Sequence, residues 1–245
     1  LVNLDTSTLE IKPELAESWE WVTETVLEVK LREDVMFHNG SLMKADDVIF
    51  TLERAKGGTT VASKMAGLDK CEKIDDYSLR MTLLSPNVDW LDTLALPMCS
   101  ILCEDAVKAD ELEGASIGTG AWVISEFASG DYVKLTRNEN YWAELPNTET
   151  LTLKYIPENS ARLIALENGE IDFCLGVNNT ELGHVSDNPD LELIQYKSTT
   201  CTFLAFNVSK APGNNKDLRL AIAHAINIDD IIQGATEGYA SKAIS

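Results

Sequence analysis

The chain predicts a mixed α/β protein in which short strands alternate with single helices, and three observations carry that reading. Residues 26–31 alternate strictly: Leu27, Val29 and Leu31 fall on one face, Glu28 and Lys30 on the other. That is the pattern of a half-buried strand. Residues 45–55 place Val48, Ile49, Leu52 and Ala55 at helical spacing, the stripe of an amphipathic helix. Segments of both kinds then follow one another along 245 residues, with no internal repeat and no low-complexity tract. Such interspersion is the mark of an α/β chain.

In chain order, Glu14–Trp21 reads as a tryptophan-bearing turn that leads into the strand at 26–31. Asn39-Gly40 is a strong turn signal. In the helix at 45–55, Asp46 and Asp47 sit in the first turn, where the helix dipole favours carboxylates. Lys44 stands at the cap position and cannot accept a backbone N–H, so the cap is weak. Gly57–Thr60 reads as a loop. Residues 78–84 alternate as a second strand, closed by Ser85-Pro86-Asn87. Residues 88–96 read as a helix carrying Trp90, Leu91 and Leu94, ended by Pro97. Residues 104–113 form an acidic, helical surface segment.

After Gly118-Thr119-Gly120, residues 122–124 and 132–136 read as a hairpin across Ser129-Gly130-Asp131, and 151–156 as a strand. The helix at 160–168 offers Leu163, Ile164 and Leu166 for burial, with Gly169 as a left-handed stop. Apolar runs at 171–175, 191–196 and 202–206 read as three further strands. Two helices come last, one over 217–225 and one capped by Asn227, with Asp230 at the fourth position of a capping box.

Composition excludes several functions. Forty acidic side chains against 20 basic ones leave a net charge of −20. A phosphate backbone needs a basic face, so nucleic acid is disfavoured, as is docking on anionic lipid. No run of about 18 apolar residues is present, so no helix spans a membrane, and no signal peptide is recognisable. The chain opens on Leu1 and reads as a piece of a longer protein. Its cysteines, Cys71, Cys99, Cys103, Cys174 and Cys201, have no zinc-ligand spacing, and are expected to be small buried hydrophobes.

Gly114-Ala115-Ser116-Ile117-Gly118 matches the G-x-S-x-G nucleophile elbow of hydrolases, which requires a strand before the serine and a helix after it. Here an acidic helical stretch precedes it and a Gly-Thr-Gly turn follows, so the segment reads as a loop. His38, His184 and His224 are too far apart to suggest a metal site, and His38 is expected to be a hydrogen-bonded structural residue. Trp19, Trp21, Trp122 and Trp142 are assigned to packing; Trp90 is less firmly so assigned.

Six blocks, taken together, resemble the extracellular solute-binding proteins of ABC transporters, in the peptide- and nickel-binding family (family 5). They are Leu15-Ala16-Glu17-Ser18-Trp19; Leu27–Arg32 with Phe37-His38-Asn39-Gly40-Ser41; Ala45-Asp46-Asp47-Val48 with Thr51-Leu52-Glu53-Arg54; Gly118-Thr119-Gly120 with Arg137-Asn138-Glu139-Asn140-Tyr141-Trp142; Ala165-Leu166 with Gly169-Glu170-Ile171-Asp172; and Phe206-Asn207 with Asp217-Leu218-Arg219, Ala221 and Ala225-Ile226. They appear in the family's order and cover nearly the whole chain.

The resemblance implies a periplasmic-binding-protein type II-like α/β fold, of which this chain is lobe one only. Lobe one would be a mixed sheet with flanking helices plus an α+β accessory subdomain, half of a two-lobe clamshell. Residues 1–112 would form the accessory subdomain and 113–245 the partial core, ending near the crossover to lobe two. The implied function is capture of small peptides or similar solutes outside the membrane for delivery to ABC permease subunits, without catalysis, cofactor or metal. The protein would be free in the periplasm or lipid-anchored at the cell surface. In a bacterial protein the glycosylation patterns at Asn178 and Asn207 carry no meaning.

Nickel-chelate binders of the family place an Arg after the Leu-Pro that corresponds to Leu96-Pro97. Here Met98 stands there, which weakens the case for an anionic metal chelate and leaves peptide-like or other solutes favoured. Family position also nominates Met98, Cys99, Val61 and Met65 as ligand contacts, soft groups suited to a tolerant pocket. Alternatives from other classes are a ligand sensor of the same fold and a hydrolase using Ser116.

Overall fold

The computed structural model describes residues 1–58, 62–196 and 200–243. They divide into two units, Leu1–Tyr155 and Ile156–Ser245.

The first unit opens on a short antiparallel pair, β1 (Val2–Leu4) and β2 (Ile11–Pro13). A four-stranded antiparallel sheet follows, built from β3 (Ala16–Thr23), β4 (Val26–Leu31), β5 (Leu68–Asp75) and β6 (Ser78–Leu83) in the order β3-β4-β6-β5. The expected tryptophan-bearing turn is therefore a strand. Trp19 pairs with Val29 and Trp21 with Leu27 across the sheet, because alternate residues of 16–21 can lean on the apolar face that β4 supplies.

Alternation in β4 and β6 decides which face is buried. Leu27, Val29 and Leu31 lie under the sheet with Leu79, Met81 and Leu83. On the other face Arg80 donates to Glu28, its register partner. Helix α1 (Ala45–Gly57) covers the apolar face with Val48, Leu52 and Ala55. Each fully buried Leu in this layer contributes about 1.5–3 kcal/mol relative to exposure.

The weak cap at Lys44 is offset from inside the helix. The Asp47 carboxylate reaches back to accept the Lys44 N–H at 2.9 Å. The Asn39-Gly40 turn forms as expected, with Gly40 at φ +84°.

Helix α2 (Ala62–Met65) precedes β5, and α3 (Trp90–Leu94) follows β6. Trp90, the tryptophan least firmly assigned to packing, is fully buried and heads the core by volume, whereas Trp21 is partly exposed. Helices α4 (Glu104–Ala109) and α5 (Glu111–Gly114) split the expected acidic helix in two, with Asp110 capping the second through Leu112 and Glu113 N–H. The unit closes with an antiparallel sheet of β7 (Trp122–Ala128), β8 (Tyr132–Arg137) and β9 (Thr150–Lys154).

The second unit is helical among the described residues: α6 (Asn159–Glu167), α7 (Leu182–Asp187), α8 (Lys216–Ala225) and α9 (Ile228–Thr236). Leu163 and Ala165 of α6 and Leu182 and Val185 of α7 are its buried apolar side chains. Arg162 ties the start of α6 to the Ile156 and Gly176 carbonyls. Gly169 takes φ +70° just past α6, as expected.

Asn227 caps α9 through the Asp229 N–H, and Asn215 caps α8 through Asp217 and Leu218. The strands expected at 171–175, 191–196 and 202–206 are absent among the described residues. Phe173, Leu175, Ile194, Tyr196, Phe203 and Leu204 are instead exposed. A short apolar run becomes a strand only where a second strand takes up its N–H and C=O groups, and none does so here.

Candidate functional site

The first unit contains an open cavity of about 370 Å³. Its walls come from places distant in sequence: the Leu1-Val2 and Glu14-Leu15 ends of the first strand pair, His38, the Leu94–Leu102 segment, the loop at Ala115–Gly120, and Tyr141-Trp142.

Proline shapes the central wall. The residue before a proline is pushed to extended backbone, and Leu96 lies at ψ 145°. Pro97 then opens a single 3₁₀ turn, Pro97–Cys99. The far end of this wall is fastened to α1. Thr51 Oγ1 accepts the Leu102 N–H at 3.0 Å, and its hydroxyl donates to the Asp47 carbonyl at 2.8 Å. The Asp47 carboxylate accepts the Glu104 N–H at 2.9 Å. Burial raises the Asp47 carboxyl above the ordinary carboxylate value in spite of these donors.

His38 fixes the loop. Its Nδ1 accepts the Gly118 N–H at 3.3 Å, which leaves the proton on Nε2 for the Gly120 carbonyl at 3.0 Å. Its own backbone N–H donates to the Gly118 carbonyl. This is the hydrogen-bonded structural role the sequence suggested.

Trp142 stands with one ring under the Arg32 guanidinium, 4.9 Å from centroid to Cζ, a cation–π contact. Tyr141 packs against it at 5.3 Å and 56°. The Trp142 indole N–H is buried and makes no hydrogen bond among the described residues.

Ser116 and His38 both line the cavity, and each is engaged with backbone rather than with the other. The Ser116 hydroxyl donates to the Glu113 carbonyl at 2.6 Å, and both ring nitrogens of His38 are committed to backbone. Helix α5, not a strand, precedes Ser116. Gly114, the first glycine of the motif, has a packing reason: a Cβ there would lie 2.4 Å from the Ala106 backbone of α4. Among the described residues no three His, Cys, Asp or Glu side chains converge as metal ligands.

The residues nominated from family position fall in different places. Cys99 is buried and forms part of the cavity wall. Met65 is fully buried behind it, with its sulfur 3.9 Å from the Cys99 sulfur. Met98, between two lining residues, is 37% exposed. Val61 lies outside the described residues. Glu14, Tyr141 and Trp142 were not nominated; the two aromatics sit in a block assigned to packing, and Glu14 carries no local signal. Cys103 is buried as expected, whereas Cys201 is exposed, and all five thiols are free.

A cavity with apolar walls and a few polar groups is the form a small-molecule site takes. The chain belongs to the bacterial extracellular solute-binding proteins, family 5: the model for that family's middle region matches residues 10–245. It is similar to heme-binding protein A of Haemophilus influenzae, at 27% identity over 99% of this chain and 50% of the relative. It is also similar to the dipeptide-binding protein of Escherichia coli, at 26% identity over 97% and 50%.

Among solved structures it superposes on NikZ from Campylobacter jejuni in complex with Ni(L-His), with TM-score 0.85 and 25% identity over 99% of this chain and 50% of that one. On DppA from Helicobacter pylori in complex with the peptide STSA the TM-score is 0.83, at 29% identity over 100% and 53%. The chain thus spans about half the length of the relatives it matches. The mixed α/β, periplasmic-binding-protein type of fold implied by the six blocks is the observed one. The family's extracellular character places the chain outside the cytoplasm. No helix among the described residues is long and apolar enough to cross a membrane.

Proposed function

We propose that this chain belongs to the substrate-binding component of an ABC transporter, capturing peptides or similar small solutes outside the membrane for import. It would supply lobe one of a two-lobe trap, with residues 1–112 as accessory subdomain and 113–245 as partial core. Hinge closure and docking of the loaded form on permease subunits would complete the cycle. The observation that carries the reading is the family match from residue 10 to residue 245.

The cavity supports it: about 370 Å³ lies at the lower end of the size range of small-ligand sites. Cys99 and Met98 would meet the solute on the proline-led turn, with Met65 as the soft backing of that wall. Val61 is retained as a contact on family position. The engaged hydroxyl and imidazole of Ser116 and His38 favour binding without bond cleavage.

The test is a thermal-shift screen of the protein against di- to hexapeptides and metal chelates. A ligand that binds only the native state raises stability by RT ln(1 + [L]/Kd), about 2.7 kcal/mol at a hundredfold excess over Kd. A melting point unmoved by every peptide and chelate contradicts the proposal.

A further inference from the structure

We infer that Met98 is a site of reversible oxidation: a hydroperoxide converts its thioether to the sulfoxide ahead of every other methionine of the chain, and leaves the core undisturbed. This chemistry is separate from solute capture and needs no bound solute.

The chain has five methionines. Met43, Met65 and Met81 are fully buried in the core of the first unit. Met36 is half-buried, bridged to Leu42 and flanked by the buried Val35 and Phe37. Of the five, Met98 alone is exposed, at 37%.

The local backbone holds it there. The turn Pro97–Cys99 is closed by the Cys99 N–H on the Leu96 carbonyl at 2.9 Å and the Ser100 N–H on the Pro97 carbonyl at 3.1 Å. Three residues per turn set successive side chains about 120° apart. Cys99 is committed inward, 1% exposed, with its sulfur against that of Met65. Met98 lies one step back on the same turn and is therefore directed away from the core.

The step is an oxygen transfer. A lone pair of the Met98 sulfur attacks one peroxide oxygen; the S–O bond forms and the O–O bond breaks. The departing oxygen takes the proton of the transferred one and leaves as water, or as an alcohol from an alkyl hydroperoxide. Sulfur gives up two electrons and the peroxide receives them. The oxidant must reach the sulfur, and the new S=O dipole must be solvated. Both conditions fail in a core, where an unpaired polar group is costly, and both hold at Met98. Pro97 and Cys99, on either side, line the cavity. The sulfoxide thus sets a polar, chiral group beside the cavity wall where an apolar thioether stood, and sulfoxide reductases reverse the change.

Thiols compete for the same oxidant, and Cys201 is exposed. A thiol reacts as its thiolate, whereas a thioether has no proton to lose. At pH 6 an ordinary thiol, with a pKa of about 8.5, is almost wholly protonated, and the thioether is unaffected.

The experiment is timed exposure of the chain to hydrogen peroxide at pH 6, quenched with catalase and mapped by peptide mass spectrometry, on wild type and Met98→Leu. The same exposure in urea removes the protection that burial gives. Met98 is expected to gain one oxygen at least about tenfold faster than Met43, Met65 and Met81 in the folded chain, faster than Met36, and at a rate like theirs in urea. The chain oxidised at Met98 alone is expected to keep its melting point and to lose the oxygen to methionine sulfoxide reductases. Met98→Leu is expected to lack the fast phase.

Oxidation of another methionine as early as Met98 overturns the inference, as does a fast phase that survives in Met98→Leu. A melting point that falls when Met98 alone is oxidised overturns the claim that the core is undisturbed. Each of these outcomes leaves the solute-binding reading standing, since no solute enters the measurement.

Discussion

Thr51 is buried to 3% exposure on the covered face of α1, and replacing it with valine isolates the fastening of the cavity wall. Valine keeps the shape and removes the hydroxyl. Two bonds go: the 2.8 Å donation to the Asp47 carbonyl and the 3.0 Å acceptance from the Leu102 N–H. The carbonyl retains other options on α1, but the Leu102 donor is left in a partly buried site. Such an unsatisfied group costs about 1–3 kcal/mol.

With a urea slope of about 1–3 kcal/mol per molar, a loss of about 2 kcal/mol moves the unfolding midpoint down by about 1 M. Thr51→Ser is the control: it keeps both bonds and loses one methyl, worth about 0.8 kcal/mol. The assay is urea unfolding followed by tryptophan fluorescence, since Trp90 lies in the same core. The reasoning predicts that valine is more damaging than serine. A serine variant less stable than the valine variant refutes it, because the methyl and not the hydroxyl would then be what holds the segment.

Gly114→Ala forces a Cβ to within 2.4 Å of the Ala106 backbone, so α4 and α5 must separate; a loss of more than about 3 kcal/mol is expected in the same urea assay, and a change under 1 kcal/mol would show that the helices part freely. His38→Ala releases both ends of the Gly118–Gly120 turn and is expected to destabilise by about 2 kcal/mol and to speed amide exchange at Gly118; unchanged exchange there contradicts the role given to the ring. Asp76 is hydrogen-bonded by Lys44 and then Lys73, which hold its carboxyl down at about 2. Its contribution is therefore present above the unfolded carboxylate value of about 3.9 and lost as pH falls through about 2. The stability gap between wild type and Asp76→Asn should shrink over that window, and should be smaller in high salt at any pH where the carboxyl is ionised; a gap independent of pH rules out the ion pair as its source.

What could be read from the residues followed from how much each element needed its surroundings. Helix α1, strands β4 and β6 and the β7–β8 hairpin were legible as elements, and in β4 and α1 the alternation also named the buried side chains Leu27, Val29, Leu31, Val48, Leu52 and Ala55. Segment 16–21 misled because its tryptophans and turn-like flanks hid an alternation that only the partner β4 makes evident. The runs at 171–175, 191–196 and 202–206 have strand composition but no strand beside them, and propensity yields to the absence of a ladder.

The cavity was the least legible feature. His38 meets a loop 80 residues on, and Cys99 meets Met65 across 34; neither pairing leaves a local trace. The context read around Gly114–Gly118, a helix and not a strand before Ser116, is the one observed, and close packing on α4 accounts for its first glycine.

The proposed role requires that a bound solute be held and released unaltered. The most direct measurement is to saturate the protein with a peptide that raises its melting point, denature it after prolonged incubation, and weigh the released peptide by mass spectrometry. Stoichiometric recovery of the peptide at its original mass is expected. Recovery of hydrolysed fragments, at a rate abolished by Ser116→Ala, would contradict it.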